Sequence, residues 1–296
     1  MNAILIKQLS YKYPKNNYYS LLDINLNIQA KCCTGIIGPN GSGKSTLISA
    51  LCGLLTDFEG SISYQGMTGD LLGCVKKKVA LVPQEYAFYP QLTVLQNVEY
   101  FLSLCIVDKS RWKLLINDIL TQCELVSVKN QKAKKLSGGY KRRLNIAIAL
   151  VKEPEVLFLD EPTVGIDPES REVIIRLLEQ FKKQGKTLLF TSHMLDEVEK
   201  ICDDIIVLRD GKAVMHEQGG QNNILLTVHF STPPLNDEFV RLYEQVTENK
   251  YQMRLNSQIE LSAQLQFLAS IETPIVKMHY SSNSVDQLYH LTQVAE

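Results

Sequence analysis

The sequence predicts an α/β protein built on a largely parallel sheet, and three observations carry that prediction. Short apolar runs of strand length recur along the chain: TGIIG after Cys33, EVLFLDEP from Glu155 and KTLLFTSH ending at His193. A glycine-rich break from Gly38 to Gly43 separates the first run from a helix, and REVIIRLLEQFKKQG, with a helical apolar stripe, separates the other two. A strand, helix, strand succession of this kind builds parallel sheets covered by helices.

Length and composition set the frame. At roughly 150 residues per domain, 296 residues imply two domains. Lys plus Arg (31) balance Asp plus Glu (32), and 45% hydrophobic with 21% charged residues suits a folded soluble chain, excluding bulk disorder, collagen and a uniformly basic nucleic-acid binder. No stretch approaches the roughly 18 apolar residues of a membrane span, and MNAILIKQLS lacks the features of a signal peptide, so the chain is expected to stay in the cytosol. Seven scattered cysteines without C-x-x-C spacing indicate neither a disulfide framework nor a zinc site and read as small apolar fillers.

Taken in order, alternation through Ile4, Ile6 and Leu9, then through Leu26 and Ile28, predicts strands. TGIIG reads as a buried strand, and Ser45 opens the following helix. From about Gln84 to Leu150 the patterns are helical, as in VLQNVEYFLSL and WKLLINDILTQC, which predicts a helical insertion over about 85–150. EVLFLDEP closes in two acids and a proline, the way a buried parallel strand ends at a functional edge. Asp167 is then an N-cap, Pro168 a first-turn proline and Gly185 the helix stop. QGGQNN predicts a linker over 218–223 between a first domain, 1–217, and a small second α/β domain, 224–296. In the latter, LTVHF and YQMRL alternate, with Tyr251, Met253 and Leu255 on one side, and Leu261, Leu265 and Leu268 mark a helix. A last helix runs through Val285, Leu288 and Leu291, opened by Ser284 and Gln287 in capping-box spacing.

Gly38-Pro39-Asn40-Gly41-Ser42-Gly43-Lys44-Ser45-Thr46 fits G-x-x-x-x-G-K-S between a strand and a helix, the pattern of a phosphate-binding P-loop. Glycines let the backbone N–H groups wrap a phosphate closely, and the helix presents its positive dipole end to the anion. Lys44 is expected to reach the β- and γ-phosphates and Ser45 to ligate Mg²⁺. Asp160 is placed to hold the magnesium water shell, and Glu161 to accept a proton from an attacking water.

LSGGY at Leu136 to Tyr140, after the P-loop and before LFLDEP, resembles the signature motif of ATP-binding cassette (ABC) proteins. Gln84 in LVPQE is similar to the family's Q-loop, Val164 to Asp167 to its D-loop, and His193 in TSH to its switch histidine. The resemblance covers roughly residues 1–217. It implies a P-loop NTPase cassette, a mostly parallel sheet core with a helical subdomain, followed by a small α/β accessory domain. It further implies that Ser137, Gly138 and Gly139 contact the γ-phosphate of ATP on a partner cassette, that His193 holds the γ-phosphate, and that Gln84 shares in holding Mg²⁺. Adenine in this family usually stacks on an aromatic residue upstream of the P-loop. Tyr13 is the first choice, with Tyr11, Tyr18 and Tyr19 as competitors and core packing as the plain alternative. Ser137 also reads as a helix cap. Lys129, Lys132, Lys134, Lys135, Lys141, Arg142 and Arg143 flank the signature and read as a solvated or phosphate-attracting helix face.

The signature's usual final Gln is Tyr140 here, beyond the Ser-Gly-Gly contacts. KRRL after it and SVDQLYHLTQ near the C-terminus are similar to cassettes that drive ABC-2-type exporters. The implied protein is an ATPase using ATP and Mg²⁺, catalysis resting on Glu161, His193 and Lys44. It would pair with a second cassette and with integral membrane permease subunits, peripheral on the cytoplasmic face, with no nucleic acid as partner. The expected docking surface is the insertion around Gln84 to Leu104, including Tyr86, Phe88 and Tyr89. Two other readings share these motifs: a soluble ABC ATPase acting on ribosomes or nucleic acid, and a regulatory cassette in a heterodimer.

Overall fold

Alternating apolar residues at the start of the chain close against one another across an antiparallel sheet. In the computed structural model, which describes residues 2–65, 71–105, 108–218, 224–234, 236–255 and 258–281, β1 (Asn2–Tyr11) pairs with β2 (Leu21–Gln29) on one side. On the other it pairs with β4 (Glu59–Tyr64), giving the order β2-β1-β4. Ile4, Ile6, Leu9, Ile24, Leu26 and Ile28 all turn to the buried face.

A second sheet is built largely from short, buried, mostly apolar strands, as parallel strands covered on both faces must be. Its order is β5 (Val79–Val82), β6 (Val156–Asp160), β7 (Thr187–Thr191), β3 (Cys33–Ile37), β8 (Asp204–Arg209) and β9 (Lys212–Gln218). The pairings β5 with β6, β6 with β7, β7 with β3 and β3 with β8 are parallel. Asp210 and Gly211, at φ 50° and 74°, join β8 to β9 in a two-residue turn of the kind that suits a hairpin's twist.

Helix α1 (Lys44–Leu51) lies in the core that the two sheets share, and its Leu47, Ile48, Ala50 and Leu51 are all buried. Its polar residues Ser45, Thr46 and Ser49 stay exposed or half-buried, so the apolar residues form the face that enters the core. The Tyr64 hydroxyl donates to the Leu51 carbonyl at 2.8 Å, satisfying one of the acceptors left open at the helix end. Phe158, Phe181 and Phe190 are fully buried, each worth about 1.5–3 kcal/mol of apolar burial.

After α2 (Leu71–Lys78) and β5, the chain leaves the sheet for α3 (Val94–Cys105), α4 (Trp112–Gln122) and α5 (Gly138–Leu150), and returns at β6. Thr93 and Gln96 exchange side-chain to backbone hydrogen bonds of 2.9 and 3.1 Å, a capping box that starts α3. Helices α6 (Pro168–Lys183) and α7 (Leu195–Ile201) complete this part. The Asp167 side chain caps α6 by accepting from the Ser170 N–H at 2.8 Å.

The chain divides into two compact units, Met1–Glu217 and Gln218–Glu296. The second is a βαββαβ unit: β10 (Ile224–Phe230), α8 (Asp237–Leu242), β11 (Glu244–Thr247), β12 (Lys250–Leu255), α9 (Gln258–Ala269) and β13 (Ile275–Ser281), with antiparallel sheet order β11-β12-β10-β13. Leu226, Val228, Phe230, Tyr251 and Leu255 pack with Phe239, Tyr243, Leu261 and Leu268 from the helices. Asn236 caps α8, and the Phe239 and Tyr243 rings stack at 4.2 Å. Of the expected linker only Gln218 is described, as the last residue of β9; the expected helix of Ser284, Val285, Gln287, Leu288 and Leu291 lies outside the described residues.

Candidate functional site

A cleft of about 490 Å³ opens at the end of β3, lined by Asn40, Gly41, Gly43, Lys44, Ser45 and Thr46 from the glycine loop, by Gln84 and Glu161, and by Tyr13, Asn16, Tyr18 and Ser20. The loop is shaped by close backbone approach. Gly43 sits at φ 104°, and a Cβ there would lie 2.5 Å from the Ser20 carbonyl; at Gly38 it would strike the Leu208 carbonyl. Gly41, at φ 82°, has nothing within 4 Å of its Cβ position, so its backbone is open to the cleft. The helix begins at Lys44, one residue ahead of the expected Ser45.

Lys44 is 6% exposed, and its ammonium donates to the carbonyls of Gly38 and Pro39 at 2.9 and 3.1 Å, folding the side chain back along the loop. Burial pushes its pKa down, while the nearby Glu161 and Asp160 carboxylates pull it up. A polyphosphate in the cleft would favour the charged ammonium. Ser42 is buried with no hydrogen-bond partner for its hydroxyl, another polar group held at this loop.

Strand β6 delivers both acids. Asp160 Oδ1 accepts from the Thr191 hydroxyl at 2.8 Å, and that hydroxyl accepts from the Glu161 N–H at 2.8 Å, so one β7 residue fixes both. Glu161 has φ 47°, a left-handed backbone that costs a non-glycine residue on the order of 1–3 kcal/mol. Its carboxylate stands 4.0 Å from Lys44 Nζ and 3.8 Å from His193 Nδ1, and it accepts from Gln84 Nε2 at 3.5 Å. His193 keeps about half of its side chain exposed. Of the three residues expected to hold Mg²⁺, Ser45 and Gln84 line the cleft and Asp160 is not among its lining residues; their hydroxyl, amide oxygen and carboxylate are hard oxygen donors, the chemistry that suits Mg²⁺.

Tyr13 lines the cleft, 37% exposed, its hydroxyl 3.4 Å from the Thr46 hydroxyl and its ring edge-on to Tyr11 at 4.9 Å. Tyr18 also lines it, whereas Tyr11 is buried in the core.

The signature segment is not part of this cleft. Ser137 is exposed at the start of α5, and neither it, Gly138 nor Gly139 is among the lining residues. Two expectations need correction here. Ser137 occupies the N-cap position but its side chain makes no capping hydrogen bond, so it does not act as a cap. Nor is the basic run a solvated face throughout, because Arg142 and Arg143 are 3% and 8% exposed. Arg142 donates to the carbonyls of Pro83 and Gln84 at 3.1 and 2.9 Å and lies over the Tyr86 ring at 5.2 Å. Arg143 pairs with Glu124 at 2.9 Å and lies 4.2 Å from the centre of the Tyr140 ring, so Tyr140 is part of a cation–π contact.

Several residues of the site went unforeseen. Thr191 ties the acids together, Asn16 and Ser20 line the cleft, and Asn145 holds the Gln84 segment. The Asn145 amide donates to Pro83 and Glu85 carbonyls at 3.1 and 3.2 Å, and its oxygen accepts from the Ala87 N–H at 2.8 Å.

Comparison with known proteins follows this geometry. The sequence model of a family described as ABC transporter matches residues 21–164. The chain is similar to the linearmycin resistance ATP-binding protein LnrL of Bacillus subtilis, 38% identical over 66% of this chain and 65% of that protein. It is also similar to the Nod factor export ATP-binding protein I of Rhizobium etli, 32% identical over 72% of this chain and 67% of that one. A third relative is the tungstate uptake system ATP-binding protein TupC of Peptoclostridium acidaminophilum, at 34% identity over 65% of this chain and 89% of the relative. The match thus spans just under two thirds of the length of LnrL, and 63% of the Nod factor export protein I of Burkholderia lata. Among solved structures, a dimeric ATP-binding cassette in a post-hydrolysis state with ADP and Pi superposes with a TM-score of 0.64, at 29% identity over 73% of this chain and 98% of that one.

Proposed function

From the premise that this chain belongs to the ABC transporter family, we propose that it is the ATP-hydrolysing nucleotide-binding subunit of a transporter whose membrane permease is a separate chain. The observation that carries the enzymatic reading is the placement of Glu161. It has a cation, an amide and a half-exposed imidazole around it, at 4.0 Å from Lys44, 3.5 Å from Gln84 and 3.8 Å from His193, at the end of a P-loop cleft. Phosphoryl transfer to water asks the protein chiefly for positioning and charge neutralisation. In this reading the loop N–H groups and Lys44 hold the β- and γ-phosphates, Tyr13 faces adenine, and Asn40 to Thr46 supply the cradle. Ser45, Asp160 and Gln84 hold Mg²⁺, which supplies charge neutralisation when bound. Glu161 orients or deprotonates the water, and His193 steadies the γ-phosphate.

Ser137, Gly138 and Gly139, remote from their own cleft, would complete the site of a second cassette in a head-to-tail pair. The dimeric cassette with ADP and Pi supports that arrangement. Among the described residues no helix is long and apolar enough to cross a membrane; in this reading the permease supplies the path. The surface we assign to that partner carries Tyr86, Tyr89 and Tyr100, each 39–47% exposed, with Phe88 tilted against Tyr86 at 5.4 Å and Tyr89 edge-on to Tyr100 at 4.9 Å. This aromatic patch adjoins Gln84, whose amide donates to Glu161 at 3.5 Å, which supports docking there as a route to Glu161. The name of the Nod factor export protein favours export, although TupC belongs to an uptake system.

The test is Glu161→Gln in the full-length chain. Nucleotide affinity is expected to stay within about threefold and steady-state ATP hydrolysis to fall at least about 100-fold, the scale of general-base loss. A Gln variant that hydrolyses ATP as fast as the wild type would remove Glu161 from the role.

A further inference from the structure

We infer that Glu197, on α7 and outside the cleft, is the positioning residue that sets Glu161 and His193 in register. The inference rests on the proposed ATPase reading and deepens it.

Glu197 is 3% exposed, in a chain where most acids are solvated. A buried carboxylate persists when its oxygens are matched by donors. The Oε2 atom accepts from the Thr163 hydroxyl at 2.7 Å and from the Ser192 hydroxyl at 2.8 Å, while Oε1 accepts no hydrogen bond and is balanced by charge alone, 3.2 Å from Arg171 Nε of α6. Thr163 and Ser192 are themselves 1% and 2% exposed.

Each partner adjoins one half of the proposed chemistry. Thr163 lies two residues past Glu161, on the segment that follows the strained φ of 47°. Ser192 immediately precedes His193, and its hydroxyl also accepts from the Met194 N–H at 2.9 Å, so backbone on both sides of His193 is pinned. Thr191, one residue further back, is bonded to Asp160 and Glu161. One carboxylate oxygen therefore clasps the loop after β6 to the loop after β7. Between the two clasped loops the Glu161 and His193 side chains stand 3.8 Å apart. A catalytic pair needs its geometry held to well under an ångström, and supporting hydrogen bonds supply that.

The test measures kcat and KM for ATP, with nucleotide affinity as a folding control, in full-length Glu197→Ala, Glu197→Gln, Ser192→Ala and His193→Ala, and in the double variant of Glu197→Ala with His193→Ala. Gln keeps an oxygen able to accept from both hydroxyls and is expected to retain kcat within about threefold. Ala is expected to lower kcat at least tenfold with KM and affinity within twofold, and Ser192→Ala to fall between. Because Glu197 acts through the pair, adding its Ala change to His193→Ala is expected to cost little more, a failure of additivity diagnostic of a shared unit. The role is overturned if Glu197→Ala keeps kcat within twofold, or if it lowers the His193→Ala enzyme by the same factor as the wild type. Should the Glu197→Ala variant fail to bind nucleotide, Ser192→Ala decides: a wild-type kcat there would overturn the role. A wild type that binds ATP without hydrolysing it would instead sink the enzymatic reading itself.

Discussion

The chain carries two glycine-rich segments that each open a helix, and they are finished in opposite ways. At the P-loop, the lysine is buried and bonded to its own loop carbonyls, Gly43 is pressed against the Ser20 carbonyl, and α1 sits in the core shared by two sheets. At the signature, Ser137 is exposed, its hydroxyl caps nothing, and Ser137, Gly138 and Gly139 are not among the residues lining the P-loop cleft. Both ends offer free N–H groups and a positive dipole end to an anion. The P-loop is complete within one chain; in the proposed pairing, the signature is completed by the nucleotide-bearing surface of a second cassette.

That contrast makes the predictions asymmetric. Changing Ser137 to Arg is expected to leave nucleotide affinity of the isolated chain within twofold while lowering hydrolysis by about 100-fold, as loss of a transition-state contact does. Fluorescent-nucleotide titration and phosphate release measure the two. If the Arg variant lost affinity as Lys44 variants do, the division between a self-contained and an unfinished segment would collapse. Lys44→Ala is expected to weaken nucleotide binding about 30-fold, roughly 2 kcal/mol for a charge-assisted contact, in the isolated chain and in any pair alike. The smallest effect sharpens the picture at the rim of the cleft. Tyr13→Ala is expected to weaken adenine nucleotides about fivefold, near 1 kcal/mol of ring stacking, and to leave inorganic triphosphate unaffected. Equal losses for both ligands would pass the adenine contact to Tyr18, which shares the cleft and is more exposed.

Much of this was legible in the sequence because the informative residues are consecutive. Gly38 to Thr46 state a loop geometry, Asp160 and Glu161 close an apolar strand, and Asp167-Pro168 announces a helix start. The bracing was not legible. Thr191 and Glu161, Ser192 and Glu197, Asn145 and Pro83 are pairs of common residue types brought together only by folding. Arg142 and Arg143 read as surface charge because their sequence neighbours are lysines, and only packing shows them capping the Gln84 segment and Glu124. Four-residue strands such as Val79–Val82 look the same as a buried piece of helix. Asp210-Gly211 was a usable hairpin signal between DIIVLR and KAVMHEQ, and the strands on either side of it were nevertheless absent from the expectations.

The contact between α5 and α6 extends into genetics. A methyl group added at Gly139 would fall 2.5 Å from the Ser170 Cβ but 3.7 Å from its Cα. The two positions are therefore a lock of complementary sizes: a side chain can stand at one only if it is absent from the other. Gly139→Ala alone should be a loss-of-function allele, and Ser170→Gly, which leaves the Asp167 cap to the residue 170 backbone intact, should be its second-site suppressor.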